Sequence, residues 1–218
     1  MAISRVTVLT SGRGSNLRAL IEAERAGRLD GTIVAVVGNR AGIPALDIAA
    51  AHGIPCFVVP SRGYADRADF DVALAEAIDA TEPDLVVLAG FMRILGPAMV
   101  GRYEGRMLNI HPSLLPSYPG LDTHRRALAD GVRIHGCTVH FVTAALDHGP
   151  IVAQGAVPVR AGDDEASLAA RVLAVEHRLL PAAVRAFCAG RLVIEGGRVH
   201  VKDEVVPATT FEIPAAQP

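Results

Sequence analysis

The chain has 218 residues, 50% of them hydrophobic, and a formal net charge of −2. That apolar content suffices for a sizeable core, and the near balance of charge excludes a global basic field that would recruit nucleic acid or an anionic membrane. Lys202 is the only lysine, which removes a Walker-type phosphate lysine and Schiff-base chemistry near any motif. Cys56, Cys137 and Cys188 are odd in number and far apart, without a C-x-x-C, and read as reduced, mostly buried thiols of a cytoplasmic protein. No charged leader precedes an apolar run and no stretch of about 18 apolar residues occurs, so neither export nor membrane spanning is expected.

The first element is Arg5 to Thr10, a β-branched run that predicts a buried strand. It runs into Ser11-Gly12-Arg13-Gly14-Ser15-Asn16, after which Leu17, Leu20 and Ile21 begin a helical pattern. A strand, a glycine turn and a helix N-terminus expose backbone N–H groups to an anion. The dinucleotide fingerprint needs a third glycine where Leu17 stands, and the next strand ends in Asn39-Arg40 with no acid for a ribose diol. The loop therefore suits a single phosphate better than NAD. A structural turn with Ser15 or Asn16 as N-cap is the competing reading.

Thr32 to Gly38, Pro55 to Val59 and Asp84 to Gly90 are further apolar runs, separated by helical patterns over Ile43 to His52 and Ala65 to Ala80. Such alternation predicts βαβ units and an α/β fold, a Rossmann-like, mostly parallel sheet with helices on both faces. Ligands of such sheets sit at the carboxyl ends of the strands. The Gly14 loop, the Gly90-Phe91-Met92 junction and the Asn109 loop all lie at such ends.

Arg106 to Leu108 reads as a short strand that breaks into Leu108 to Gly120, a loop punctuated by Pro112, Pro116 and Pro119. Pro112 biases His111 towards an extended conformation, so Asn109 and His111, two apart, point to one side. An amide and an imidazole facing one spot suit a developing oxyanion. The alternative is a loop whose Asn and His satisfy their own backbone. Asp122 is placed to cap a helix over Thr123 to Ala129. Arg133 to Val142 and Ile151 to Val159, joined by a turn at Asp147 to Pro150, predict an antiparallel C-terminal addition to the sheet.

His135 and His140 are five apart, on opposite faces of a strand, and no H-x-x-x-H or cysteine pair supports zinc, so no metal is expected. His140 reads as a hydrogen-bonded core residue and His124 as a surface one, either of which could line the cleft. Asp164 to Ala189 carries the periodicity of a long amphipathic helix, in which Pro181 predicts a kink or a second segment. Arg191 to Val201 reads as a hairpin around Gly196-Gly197. Residues 1–202 form one expected domain, and 203–218 a tail without a motif.

Three ordered motifs carry a resemblance. Phe91 to Leu95 (FMRIL), Asn109 to Pro116 (NIHPSLLP) and Leu146 to Pro150 (LDHGP) resemble the folate-dependent formyltransferases, over about Val6 to Leu192. The resemblance implies a catalytic trio of Asn109, His111 and Asp147, with Asp147 favouring a protonated imidazole. It implies that Gly14, Ser15 and Asn16 hold the phosphate of a ribosyl substrate and that Glu176 accepts its ribose hydroxyls, unless that Glu lies on a solvated helix face. Met92, Arg93, Ile94 and Leu95, with Asn109, are implied to hold the folate, and Arg67 its tail, a task Arg62 could equally perform. Two departures stand out: Asp122 replaces a frequent His, and His148 a frequent Gly.

Within the family the resemblance is closest to the members that transfer formyl from 10-formyltetrahydrofolate to the amine of 5-phosphoribosylglycinamide in purine synthesis. The partners implied are small molecules, with folate as cosubstrate and no metal, nucleic acid or membrane. A homodimer is compatible with the apolar content. Rivals are a methionyl-tRNA formyltransferase, for which little chain follows Leu192, a 10-formyltetrahydrofolate hydrolase, which usually carries an N-terminal regulatory domain, and an inactive nucleotide-binding module.

Overall fold

The computed structural model describes residues 3–202, so the tail of residues 203–218 lies outside it. Seven strands form one sheet: β1 (Ser4–Thr10), β2 (Gly31–Gly38), β3 (Cys56–Val58), β4 (Leu85–Leu88), β5 (Met107–His111), β6 (Ile134–Phe141) and β7 (Ile151–Pro158). Their order is β3-β2-β1-β4-β5-β6-β7. The first five pair in parallel, and β6 joins both β5 and β7 antiparallel. The Rossmann-like sheet and its antiparallel addition are thus as the sequence predicts. A separate two-stranded hairpin, β8 (Leu192–Glu195) and β9 (Arg198–Val201), turns at Gly196-Gly197.

Six helices cover the sheet: α1 (Ser15–Arg25), α2 (Pro44–Ala51), α3 (Arg67–Asp79), α4 (Pro97–Arg102), α5 (Thr123–Ala129) and α6 (Glu165–Cys188). The two-residue period of the strands sorts the core. Val6, Val8, Leu85 and Val87 pack with Leu17, Leu20, Leu168, Val172 and Leu180 of α1 and α6. Their neighbours Leu9, Val86 and Leu88 pack the other way, with Phe70, Leu74 and Ile78 of α3 and with Met99 and Tyr103. Burying each such large side chain contributes about 1.5–3 kcal/mol. Leu20→Ala, at 0% exposure, would cost about 2–5 kcal/mol.

Several local expectations are corrected. The strand before the central loop runs on to His111, so both Asn109 and His111 belong to β5. The N-cap of α1 is Gly14, at φ 77°, with no side-chain cap from Ser15 or Asn16. Asp122 holds the N-cap position of α5 at φ 57° but makes no capping hydrogen bond; its carboxylate pairs with Arg125 instead. Pro181 starts no second segment, because α6 is one helix of 24 residues. Asp164 and Ser167 close a reciprocal capping box at its start. Among the described residues no helix is long and apolar enough to cross a membrane.

Candidate active site

Strand order reverses between β1 and β4, and the crevice at their carboxyl ends is the expected ligand position in such a sheet. The loops that follow the two strands are stitched together there. Ser11 N–H donates to the Gly90 carbonyl at 3.1 Å, and Met92 N–H donates to Ser11 Oγ at 2.8 Å. The adjoining cleft is lined by Phe91, Arg93, Ile94, Leu95, Asn109, His140, Leu146 and Asp147, among others. A wider depression, lined by Arg5, His52 and Pro55, lies at the amino ends of the strands, away from this constellation.

β5 presents Asn109 opposite His140 of β6. Asn109 Nδ2 lies 3.1 Å from His140 Nε2, and His140 Nδ1 lies 2.9 Å from the Phe141 carbonyl. A carbonyl only accepts, so Nδ1 carries the proton and Nε2 offers a lone pair to the amide. That fixes the amide orientation, since a flipped Oδ1 would face the lone pair. Burial holds the His140 imidazole below its ordinary value, against the opposing effects of the Phe141 carbonyl and Asp147. One Asn109 amide hydrogen is thereby anchored, and the other is left for the cleft.

Asp147 stands between two imidazoles. Its Oδ2 is 3.6 Å from His111 Nδ1 and its Oδ1 is 3.9 Å from His140 Nε2. The His111 separation suits a charge pair rather than a hydrogen bond, whereas the unprotonated Nε2 of a neutral His140 offers Asp147 no charge to pair with. The Gly120 N–H, at 2.8 Å, anchors Oδ2. Asp147 itself turns the chain at φ 51°. Gly149 two residues on has no alternative, because a Cβ there would lie 1.7 Å from the Phe141 carbonyl oxygen. His148 has no positive φ, so a side chain replaces the frequent glycine without strain. His111 sits just behind the cleft wall, 6% exposed, and its Nε2–H donates to the Tyr118 carbonyl at 2.9 Å.

At the Gly14 loop, Asn16 Nδ2 donates to Glu176 Oε2 at 2.7 Å, joining α1 to α6. Glu176 is 6% exposed, so the solvated-face reading of this residue does not hold. Burial raises its carboxyl above the ordinary range, opposed by Asn16 and His111. Asn16 Oδ1 is buried without a partner among the described residues, an idle acceptor beside a carboxylate. Gly14 packs on α2 so closely that a Cβ would lie 2.7 Å from Ala45 Cα.

The remaining sequence candidates divide. Ile94 and Leu95 wall the cleft with Arg93. Met92 is 68% exposed, is absent from that wall, and has its N–H engaged by Ser11. Arg67 opens α3 and lines a separate groove with Asp71 and Gly96, behind the cleft. Arg62 is exposed on the loop after β3. His124 is half-buried rather than superficial, its Nδ1 3.2 Å from His135 Nε2. His140 is a buried, hydrogen-bonded histidine, as its sequence reading has it, and it also lines the cleft. Among the described residues no group of three or more His, Cys, Asp or Glu side chains is placed to hold a metal ion.

Residues 4–184 match the formyl transferase family. The chain belongs to that family and is a group-transferring enzyme. It is 49% identical over 202 residues to the phosphoribosylglycinamide formyltransferase of Escherichia coli (strain K12), which covers 93% of this chain and 95% of the relative. Among solved structures, glycinamide ribonucleotide transformylase 1 from Symbiobacterium toebii matches with a TM-score of 0.89 at 48% identity, over 91% of this chain and 94% of that one. A formyltetrahydrofolate deformylase from Pseudomonas syringae pv. tomato matches with a TM-score of 0.85 at 29% identity, over 92% of this chain and 66% of that one.

Proposed function

We propose that this enzyme transfers the formyl group of 10-formyltetrahydrofolate to the amine of 5-phosphoribosylglycinamide, a step of purine synthesis, in the cytoplasm. Residues 1–202 act as one catalytic domain. Folate is a cosubstrate, and the partners are these small molecules. Its pteridine would lie against Ile94 and Leu95, with Arg93 and Asn109 at hand. Met92 would contribute backbone only, and Arg67 or Arg62 would meet the tail carboxylates. The phosphate would rest on the free N–H groups at the start of α1, from Gly14, Ser15 and Asn16. Glu176 Oε atoms and the idle Asn16 Oδ1 are acceptors suited to ribose hydroxyls.

The amine nitrogen attacks the formyl carbon, and the carbonyl π pair moves onto oxygen. The free Asn109 amide hydrogen and an N–H of His111 receive that oxyanion. Collapse breaks the bond from the formyl carbon to N10 of the folate, whose departing pair takes a proton. The attacking nitrogen releases one, which His111 would relay. Asp147 offsets positive charge on the imidazole during the relay. Because His111 Nε2–H meets Tyr118 in this conformation, the ring or the 117–120 loop must shift for His111 to reach the substrate.

The observation that carries this reading is the Asn109 amide, pinned by a neutral His140 at the cleft wall with one donor left over. A hydrolase shares the fold at lower identity, so water instead of the amine is the second reading. Folate absorbance decides between them. Release of tetrahydrofolate only when the ribosylglycinamide is present is the expected result. Turnover without the amine would identify a hydrolase, and folate binding with no turnover a non-catalytic module.

A further inference from the structure

One buried carboxylate outside the cleft has no part in the chemistry above. Asp71, on α3, is 8% exposed. Its Oδ2 accepts the Gly96 N–H at 2.6 Å, while Oδ1 is buried with no partner among the described residues. A buried carboxylate with half its acceptors idle is costly. Burial accordingly holds this carboxyl above its usual range, against the Gly96 N–H and Arg67 one turn earlier. An apolar side chain would close α3 on α4 more cheaply, so packing does not account for the residue.

Gly96 records the same contact from the other side. Its φ of −76° suits any residue. Yet a Cβ there would stand 2.7 Å from Asp71 Oδ2 and 3.7 Å from Arg67 Nε. A side chain at 96 would therefore push the carboxylate away, although the backbone would accept it. Gly96 closes the segment 89–96, which has no helix or strand of its own and which supplies one wall of the cleft. The other end of that segment is held by Ser11, through Gly90 and Met92. Between the two ends, Arg93 lies 6.0 Å over the ring of Phe70, the residue before Asp71.

We propose that Asp71 is a positioning residue for the folate cosubstrate. By clasping the Gly96 N–H it holds residues 91–95 against α3, while Ser11 holds their other end, so that the cleft wall is formed before the folate arrives. Preformed walls lower the ordering cost of binding, and a wall displaced by about 1 Å costs heavily. The proposal rests on the folate reading given above.

The test is steady-state kinetics on the full chain, with both substrates varied. Asp71→Ala is expected to raise KM for 10-formyltetrahydrofolate about tenfold, with kcat and the KM of the ribosyl substrate within about twofold of wild type. Asp71→Asn keeps an acceptor for Gly96 and should recover most of the loss. Gly96→Ala breaks the contact from the opposite side and should reproduce the folate-selective defect. The double variant should be no worse than either single one. Amide hydrogen exchange over residues 91–96 should quicken in Asp71→Ala. An unchanged folate KM in a folded Asp71→Ala, or equal losses for both substrates, would overturn the proposal. If that variant does not fold, the Asn and Gly96 variants decide in the same way. Calorimetry on the wild type separates the two ideas: no folate binding there would remove the folate reading itself, and this proposal with it.

Discussion

Asn109 carries two amide hydrogens, and His140 engages one of them. With that anchor gone the amide is free to turn, and on the proposed mechanism the donor for the oxyanion is no longer fixed. His140→Ala should therefore lower kcat by roughly tenfold, less than the roughly 10²–10³-fold expected for Asn109→Ala. Folate affinity measured by calorimetry should stay within about twofold in both. Single-turnover rates provide the check, and a His140 variant with the wild-type rate would remove this residue from the mechanism. That Asn109, His111 and Asp147 come together was legible because each belongs to a short motif with its own spacing. The pairing of His140 with Asn109 was not, since it comes from the register that sets the two residues across from each other. The residues are 31 positions apart, and no local pattern encodes that pairing. Glu176 was legible as a position but not as an environment, for burial depends on how α6 packs on α1.

At the level of elements, the apolar runs, helical periods and cap signals located the strands of the main sheet and, apart from the short α4, the helices that cover it. What they missed, besides α4, lies at helix caps and at a proline inside a helix. Asp122 has the right side chain for a cap and the wrong geometry, since its carboxylate is drawn to Arg125. Pro181 reads as a break but lies within a continuous α6. Gly14 combines both lessons. Its φ of 77° would cost any other residue about 1–2 kcal/mol, and the close approach of α2 adds overpacking of similar size. Gly14→Val should thus lower Tm by many degrees and weaken both substrates, which makes it a probe of the α1–α2 contact rather than of phosphate binding. Ser15→Ala is the selective probe, because it leaves the backbone intact and removes a hydroxyl donor that would add to the backbone N–H groups at the phosphate. It should raise the KM of the ribosyl substrate severalfold, with folate KM and Tm unchanged. A loss shared by both substrates in Ser15→Ala would refute a separate phosphate subsite.

Across the whole molecule, burial of imidazoles links stability to pH. His124, His135, His140 and His177 are each held below their ordinary value, with burial the first cause in every case. His135 shows it most, lowered from 6.5 to about 4 by burial, with His124 and His111 adding to the fall and the Pro112 carbonyl opposing it. Its surroundings are the His124 ring at 3.2 Å and the Tyr118 ring, 5.8 Å between centroids. In the unfolded chain such a histidine gains its proton as pH drops through 6.5, whereas the folded protein resists until about 4. Between those values the unfolded state binds more protons, so stability climbs with pH over that window. The contribution is complete above about pH 6.5 and is lost as acid is added. Buried carboxyls act in the opposite sense: Asp71 and Glu176 are raised by burial, so they favour folding towards acid pH and blunt the net curve. A difference measurement removes them. His135→Gln keeps a donor for the Pro112 carbonyl and cannot take up the proton. Thermal melts from about pH 7 to about pH 5 should show the wild type losing several degrees more than the variant, the two curves converging towards the acid end. Parallel curves would mean that His135 is not the group that ties folding to protons.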